Sequence, residues 1–299
     1  MLIARLLGFA IVTGALLGAS PSLTASRPLT IVPYRPDGTA GKLIAVPVSL
    51  NGAAPEWFCL DSGAPHSIID VRLADKLGLT AVNTGQIAGT GHGSVAAGHP
   101  GPQTLRIGAV SLRVTDPMIV ALKDVPINGQ DRGLIGSELF EHYVVRIDGA
   151  KRTLTLYDPA NFRPDGHGAA LPLSTDGSRL YVEVTLWVRP GLKVTHKLRI
   201  DTGSEDSVND PAVKLARVVR KTRLGNGLGA DYEGYSGIFD AIQIGPYRIR
   251  NVWGPGGDLP AIGMEILRRF VVTFDVPHRR LYLRPTKALY SPVPSPGQG

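Results

Sequence analysis

Residues 43–50 (LIAVPVSL) alternate in the manner of a strand with one face buried. Residues 57–60 read as a second strand that runs into Asp61. Residues 67–79 (SIIDVRLADKLGL) carry helical spacing at Leu73 and Leu77 and stop at Gly78, which predicts a helix. Further on, residues 137–143 and 264–270 read as short helices. Each is followed by an apolar hairpin: 144–147 with 153–157, and 271–274 with 281–284. Many short strands and few helices predict an all-β chain.

The pattern occurs twice. Phe58-Cys59-Leu60-Asp61-Ser62-Gly63 matches Leu198-Arg199-Ile200-Asp201-Thr202-Gly203. Leu105-Arg106-Ile107-Gly108 lines up with Ile242-Gln243-Ile244-Gly245, and Leu134-Ile135-Gly136-Ser137-Glu138 with Ala261-Ile262-Gly263-Met264-Glu265. Asp201 lies 140 residues after Asp61, whereas Gly263 lies 127 after Gly136. The halves therefore share an order of elements and differ in loop length, as in a duplicated lobe rather than a solenoid unit. Two such copies can set two carboxylates face to face.

This order resembles the aspartic peptidases of the pepsin and retropepsin group, whose signature is Asp-Thr/Ser-Gly followed later by two hydrophobics and a glycine. The resemblance covers most of the chain after about Leu29. It implies a bilobal all-β fold, two β-barrel-like lobes with a cleft between them. It makes Asp61 and Asp201 the catalytic pair, with no metal and no organic cofactor. Two carboxylates at close range cannot both ionise, so they share a proton, and a water between them can be both activated and positioned. Gly63 and Gly203 would let the two loops approach, and Ser62 and Thr202 would bond across the lobe interface. Ser67 and Ser207, each six residues past its aspartate, would orient the carboxylates. Gly136 and Gly263 would let their strands pass behind the active loops. Between the motifs, glycine-rich residues 85–98 (Gly91, His92 and Gly93) and 224–237 (Tyr232 and Tyr235) are flap candidates.

Composition adjusts this picture. Residues 1–25 read as a signal peptide: Arg5 precedes a short apolar run, 6–17, and small residues lead to a cleavage site after Ala25. The chain is thus expected to be exported, periplasmic or secreted, and free of the membrane once cleaved. The lobes are placed at 28–158 and 171–287, with a linker at 159–170 and a disordered Pro/Ser/Gly tail at 288–299. Cys59 is the only cysteine, so no internal disulfide forms and a buried packing thiol is expected. The net charge of +7 and the cluster Lys214, Arg217, Arg220, Lys221 and Arg223 come with no nucleic-acid fold signature, so a solvated helix face or loop is expected. His66, His92, His99 and His142 lack zinc spacing, and Glu138 with His142 reads as a surface pair. No Gly-x-Ser-x-Gly elbow or phosphate loop is present. The expected partner is a polypeptide substrate, and because one chain supplies both aspartates a monomer suffices. The competing reading is a peptidase-like fold that binds peptides without cutting them. Its support is the unclear flap tyrosine and the acidic pair Glu205-Asp206 beside the second motif.

Overall fold

A computed structural model describes residues 26–89, 91–122, 130–225, 228 and 230–293. The signal segment at 1–25 and the end of the tail lie outside the described residues.

The two halves meet in a shared six-stranded sheet. Its order is Thr30–Pro33, Thr153–Tyr157, Val144–Asp148, Phe270–Asp275, Arg280–Pro285 and Ala169–Pro172. The central pair is antiparallel, with Val145 opposite Phe274, Arg146 opposite Thr273 and Ile147 opposite Val272. Arg146 faces its own repeat counterpart, and Val145 and Ile147 each face the counterpart of the other, so a pseudo-two-fold axis passes between Arg146 and Thr273. Across it, the Phe140 and Phe274 rings meet edge to face with centroids 5.0 Å apart. Both rings are fully buried, and burying a phenylalanine contributes about 1.5–3 kcal/mol.

Each half then carries its own sheet, ten-stranded in the first and eight-stranded in the second. The expected bilobal all-β fold is present, and among the described residues neither sheet closes on itself, so its barrel-like lobes are open sheets. In the first, Gly133–Ile135 lies parallel to Glu56–Leu60 and antiparallel to Ile68–Asp70. In the second, Ala261–Ile262 lies parallel to Leu192–Ile200 and antiparallel to Val208–Asn209. A late strand thus wedges between the two strands that flank each aspartate, which pinches the intervening loop to a fixed place.

Several sequence expectations change here. The 67–79 segment is not one helix. Ile68–Asp70 is a strand held by Met118–Val120 and Gly133–Ile135, and the helix is Val71–Lys76, begun where the Asp70 carboxylate accepts from Arg72 N. The 159–170 linker ends in strand Ala169–Pro172, the counterpart of Thr30–Pro33 at the opposite edge of the shared sheet. Of the basic cluster, expected on a helix face or loop, Lys214 sits on a 3-10 turn, Pro211–Leu215, Arg217 in the loop that follows, and Arg220, Lys221 and Arg223 on a strand, Val219–Leu224. The tail expectation fails for residues 288–293. Buried Arg269 donates to the carbonyls of Leu289 (3.2 Å) and Ser291 (2.5 Å), while its Nη2 meets Glu265 Oε1 at 2.8 Å. Leu289 and Val293 pack in the core. Without Arg269 those carbonyls lose their donor, although Glu265 keeps Arg268 and Lys42. Arg269→Met should therefore cost about 1–3 kcal/mol in urea unfolding.

A second buried acid pair lies in the first lobe. Asp131 is fully buried; Arg35 Nη2 reaches it at 2.5 Å, and its carboxyl hydrogen-bonds that of Asp37. Burial first, then Asp37, pushes Asp131 up to about 8. The fold holds a proton that the unfolded chain releases near the ordinary carboxylate value of about 4. This contribution is complete at low pH and is lost as pH rises through 8. Stability in urea should therefore fall between pH 5 and pH 9, and Asp131→Asn should flatten that fall.

Candidate active site

The pinched loops bring Asp61 and Asp201 together. Asp61 N donates to Ile135 O at 2.9 Å and Asp201 N to Ile262 O at 3.0 Å, so each aspartate is tied to its wedging strand. The loops then lock to each other. Ser62 N donates to Thr202 Oγ1 (2.9 Å) and Thr202 N to Ser62 Oγ (3.1 Å). Ser62 Oγ donates to Ile200 O (2.8 Å) and Thr202 Oγ1 to Leu60 O (2.9 Å). All four bonds cross between lobes, and both side chains are buried.

The carboxylates lie against the opposite glycines. A Cβ on Gly63 would stand 2.7 Å from the Asp201 carboxyl carbon, and one on Gly203 would stand 2.4 Å from that of Asp61. Any side chain there would push the pair apart. Asp61 Oδ1 accepts from Gly63 N (2.8 Å) and Ala64 N (3.1 Å), and Asp201 Oδ1 accepts from Gly203 N (3.0 Å). Burial, and then the neighbouring Asp201 charge, push Asp61 up to about 7. A carboxyl pair with one proton is what this electrostatics favours.

The supporting residues divide. Gly136 and Gly263 press on the active loops: a Cβ would stand 2.6 Å from the His66 carbonyl carbon and 2.5 Å from Asp206 O, respectively. Ser67 and Ser207 do not orient the carboxylates. Ser67 Oγ donates to Glu138 Oε2 (2.9 Å) and accepts from Gly136 N (3.0 Å), while Ser207 Oγ donates to Trp253 O. Six residues past the aspartate the chain has already turned into the next strand, so these hydroxyls brace the loop base. Glu138 is accordingly not in a surface pair with His142. Its carboxylate holds Ser67, and His142 Nδ1 meets its carbonyl instead.

Two interactions were not read from the sequence. Arg199 Nη2 donates to Asp201 Oδ2 at 2.7 Å, with both side chains largely buried. Its signal was legible: residues two apart on a strand share a face, so Arg199 had to lie beside Asp201. The other is Glu205, whose carboxylate accepts from Thr39 N, Thr39 Oγ1, Ala40 N and Lys42 N at 2.7–3.0 Å. Lys42 Nζ also reaches Glu265 at 3.1 Å. A first-lobe turn is thereby clasped by the second lobe, a pairing no local pattern encodes. Asp206 beside it reaches solvent yet is crowded by protein, and burial, then Asp201, push it up to about 6.

The glycine-rich hairpins meet at their tips. The first has strands Asn83–Ile87 and Val95–His99, and the second has Val219–Leu224 and Tyr232–Ile244. His92 and Ala230 exchange backbone hydrogen bonds at 2.8 Å in both directions, and Gly91 N donates to Leu228 O at 3.0 Å. The His92 and Tyr232 rings stack with centroids 4.1 Å apart. Gly93 turns the first hairpin at φ +85°. Tyr235 stands away from this contact, its ring 5.7 Å from Lys214 Nζ.

A model of the aspartyl protease family matches residues 46–139, the span that holds Asp61-Ser62-Gly63 and Leu134-Ile135-Gly136. The match is thus to an aspartyl protease domain within the first lobe, and the second lobe repeats that lobe's wedging strand and loop. No curated protein matches the chain. Among solved structures, the basic 7S globulin from soybean is similar over 86% of this chain and 94% of its own, at 12% identity and a TM-score of 0.49.

Thr202→Val would leave Ser62 N and Leu60 O buried without partners. It should cost about 1–3 kcal/mol in urea unfolding, whereas Thr202→Ser should cost much less.

Proposed function

We propose that the chain is an exported aspartic endopeptidase in which one water between Asp61 and Asp201 attacks the scissile carbonyl. The observation that carries this reading is the seating of each carboxyl against the other lobe's glycine. One carboxylate takes a proton from water as the oxygen adds to the carbonyl carbon. The other, protonated, donates to the carbonyl oxygen. In the second half, the acid just formed protonates the leaving nitrogen, the C–N bond breaks, and the first donor regains its proton. An extended peptide would run between the lobes, held in part by backbone hydrogen bonds from the hairpins. Because their tips are joined, entry requires those few contacts to part or the peptide to thread beneath them. Export rests on the signal-like residues 1–25.

The competing function, peptide binding without cleavage, draws support from the Arg199 contact, which already occupies one oxygen of Asp201. The test is cleavage of a peptide library between pH 3 and 9 by the mature chain. Asp61 holds its proton up to about pH 7, so cleavage should persist from acid into near-neutral pH and fall above it. Asp61→Asn and Asp201→Asn should each lose about 10²–10⁴-fold in kcat/KM. Binding of a statine-type inhibitor without cleavage by the folded parent would favour the binding function.

A further inference from the structure

Arg199 is where the two lobes differ most at the dyad. Its repeat counterpart is Cys59, a buried thiol that bonds Asp37 on the first lobe and brings no charge. Asp201 therefore has a cation at 2.7 Å, while Asp61 is held by two backbone amides. Among the described residues, Asp201 is the hydrogen-bond partner of the Arg199 guanidinium, and the buried Nε has none. The charge is thus committed to the dyad.

We propose that Arg199 is a positioning residue that makes the dyad asymmetric, holding Asp201 as the carboxylate that takes the proton from water and leaving the shared proton on Asp61. This rests on the peptidase reading above and assigns roles that the symmetric motif leaves open. The geometry allows it. A carboxylate has about four lone-pair positions, and Arg199 and Gly203 N use one on each oxygen of Asp201. Capacity for water remains. The other charges around the pair do not favour ionising Asp201: Asp61 faces it from the first lobe, and Asp206 stands beside it on its own loop with Glu205 close by. Lys42 reaches that loop but acts on Asp206 and Glu265. Arg199 is the cation that decides. The consequence is a dyad that keeps its working single-proton state to lower pH than an unassisted acid pair in the same setting.

The test is the pH profile of kcat/KM, whose limbs report the free enzyme. In Arg199→Gln the acid limb should move up by about 1–3 pH units, the shift a neighbouring arginine imposes on a carboxyl. Arg199→Lys, which keeps the charge, should restore most of it. A purely packing role would lower stability and leave the limb in place, and an unmoved limb in folded Arg199→Gln overturns the proposal. Should that variant fail to fold, carboxyl-carbon NMR of the aspartate-labelled parent asks the same question. Asp201 should deprotonate before Asp61, and the reverse order overturns the assignment. If the parent cuts no peptide at any pH, the peptidase reading fails, while the NMR titration order still decides the role of Arg199.

Discussion

The reciprocal hydrogen bonds between Ser62 and Thr202 are the interaction on which the rest depends. Each hydroxyl accepts from the other loop's amide and donates to a carbonyl on the other lobe's strand. Four buried backbone groups are satisfied only if both lobes are present and in register. Water cannot replace these partners without opening the interface, so the cost of unmaking them keeps the loops together. The same bonds force two acids into contact, which the fold then accommodates by raising the proton affinity of Asp61. The electrostatic burden of the site and the mechanical joint of the molecule are one feature.

Around this joint the duplication is close to symmetric. The shared sheet is centred on Arg146 facing its repeat counterpart Thr273, and each lobe wedges a late strand behind its aspartate. The departures lie where function needs direction. Cys59 and Arg199 occupy one strand position with different charge. Glu205 clasps a first-lobe turn, while its first-lobe counterpart is Pro65, which has no carboxylate with which to return the bond. A symmetric scaffold supplies the pair of carboxylates, and unequal neighbours make the two chemically distinct. Among the described residues the hairpin tips add a second junction between the lobes, made of backbone bonds and a ring stack.

Buried acids recur in this chain. Asp37 and Asp131 repeat, away from the dyad, the arrangement of two carboxyls too close to ionise together, here with Arg35 as the attendant cation. Asp206 has a raised proton affinity as well. Opposing them, Asp70 is lowered despite its burial by bonds from Arg72 and Leu122, and Glu265 by Arg269 and Lys42. Those two carboxylates retain their stabilising contacts until the medium becomes acidic. The raised acids weaken the fold on the alkaline side, so the balance favours mildly acidic conditions.

The sequence by itself determined the two lobes, the aspartates and the glycines that flank them. Those features depend on local pattern, namely alternating strands, a loop triplet and a later glycine, and duplication made each visible twice. It also held, unread, the placement of Arg199, because strand alternation puts it on the face of Asp201. Residues 67–79 misled because the Leu73 and Leu77 spacing is helical while Ile68–Asp70 pairs with two distant strands. The tail misled because its composition says nothing of Arg269, which is buried and needs carbonyl acceptors. Ser67 and Ser207 kept their symmetric spacing but face Glu138 and the Trp253 carbonyl, partners about 70 and 46 residues away. Only the tertiary structure decided such pairings, since the partner of a buried polar group is set by which strands meet in space.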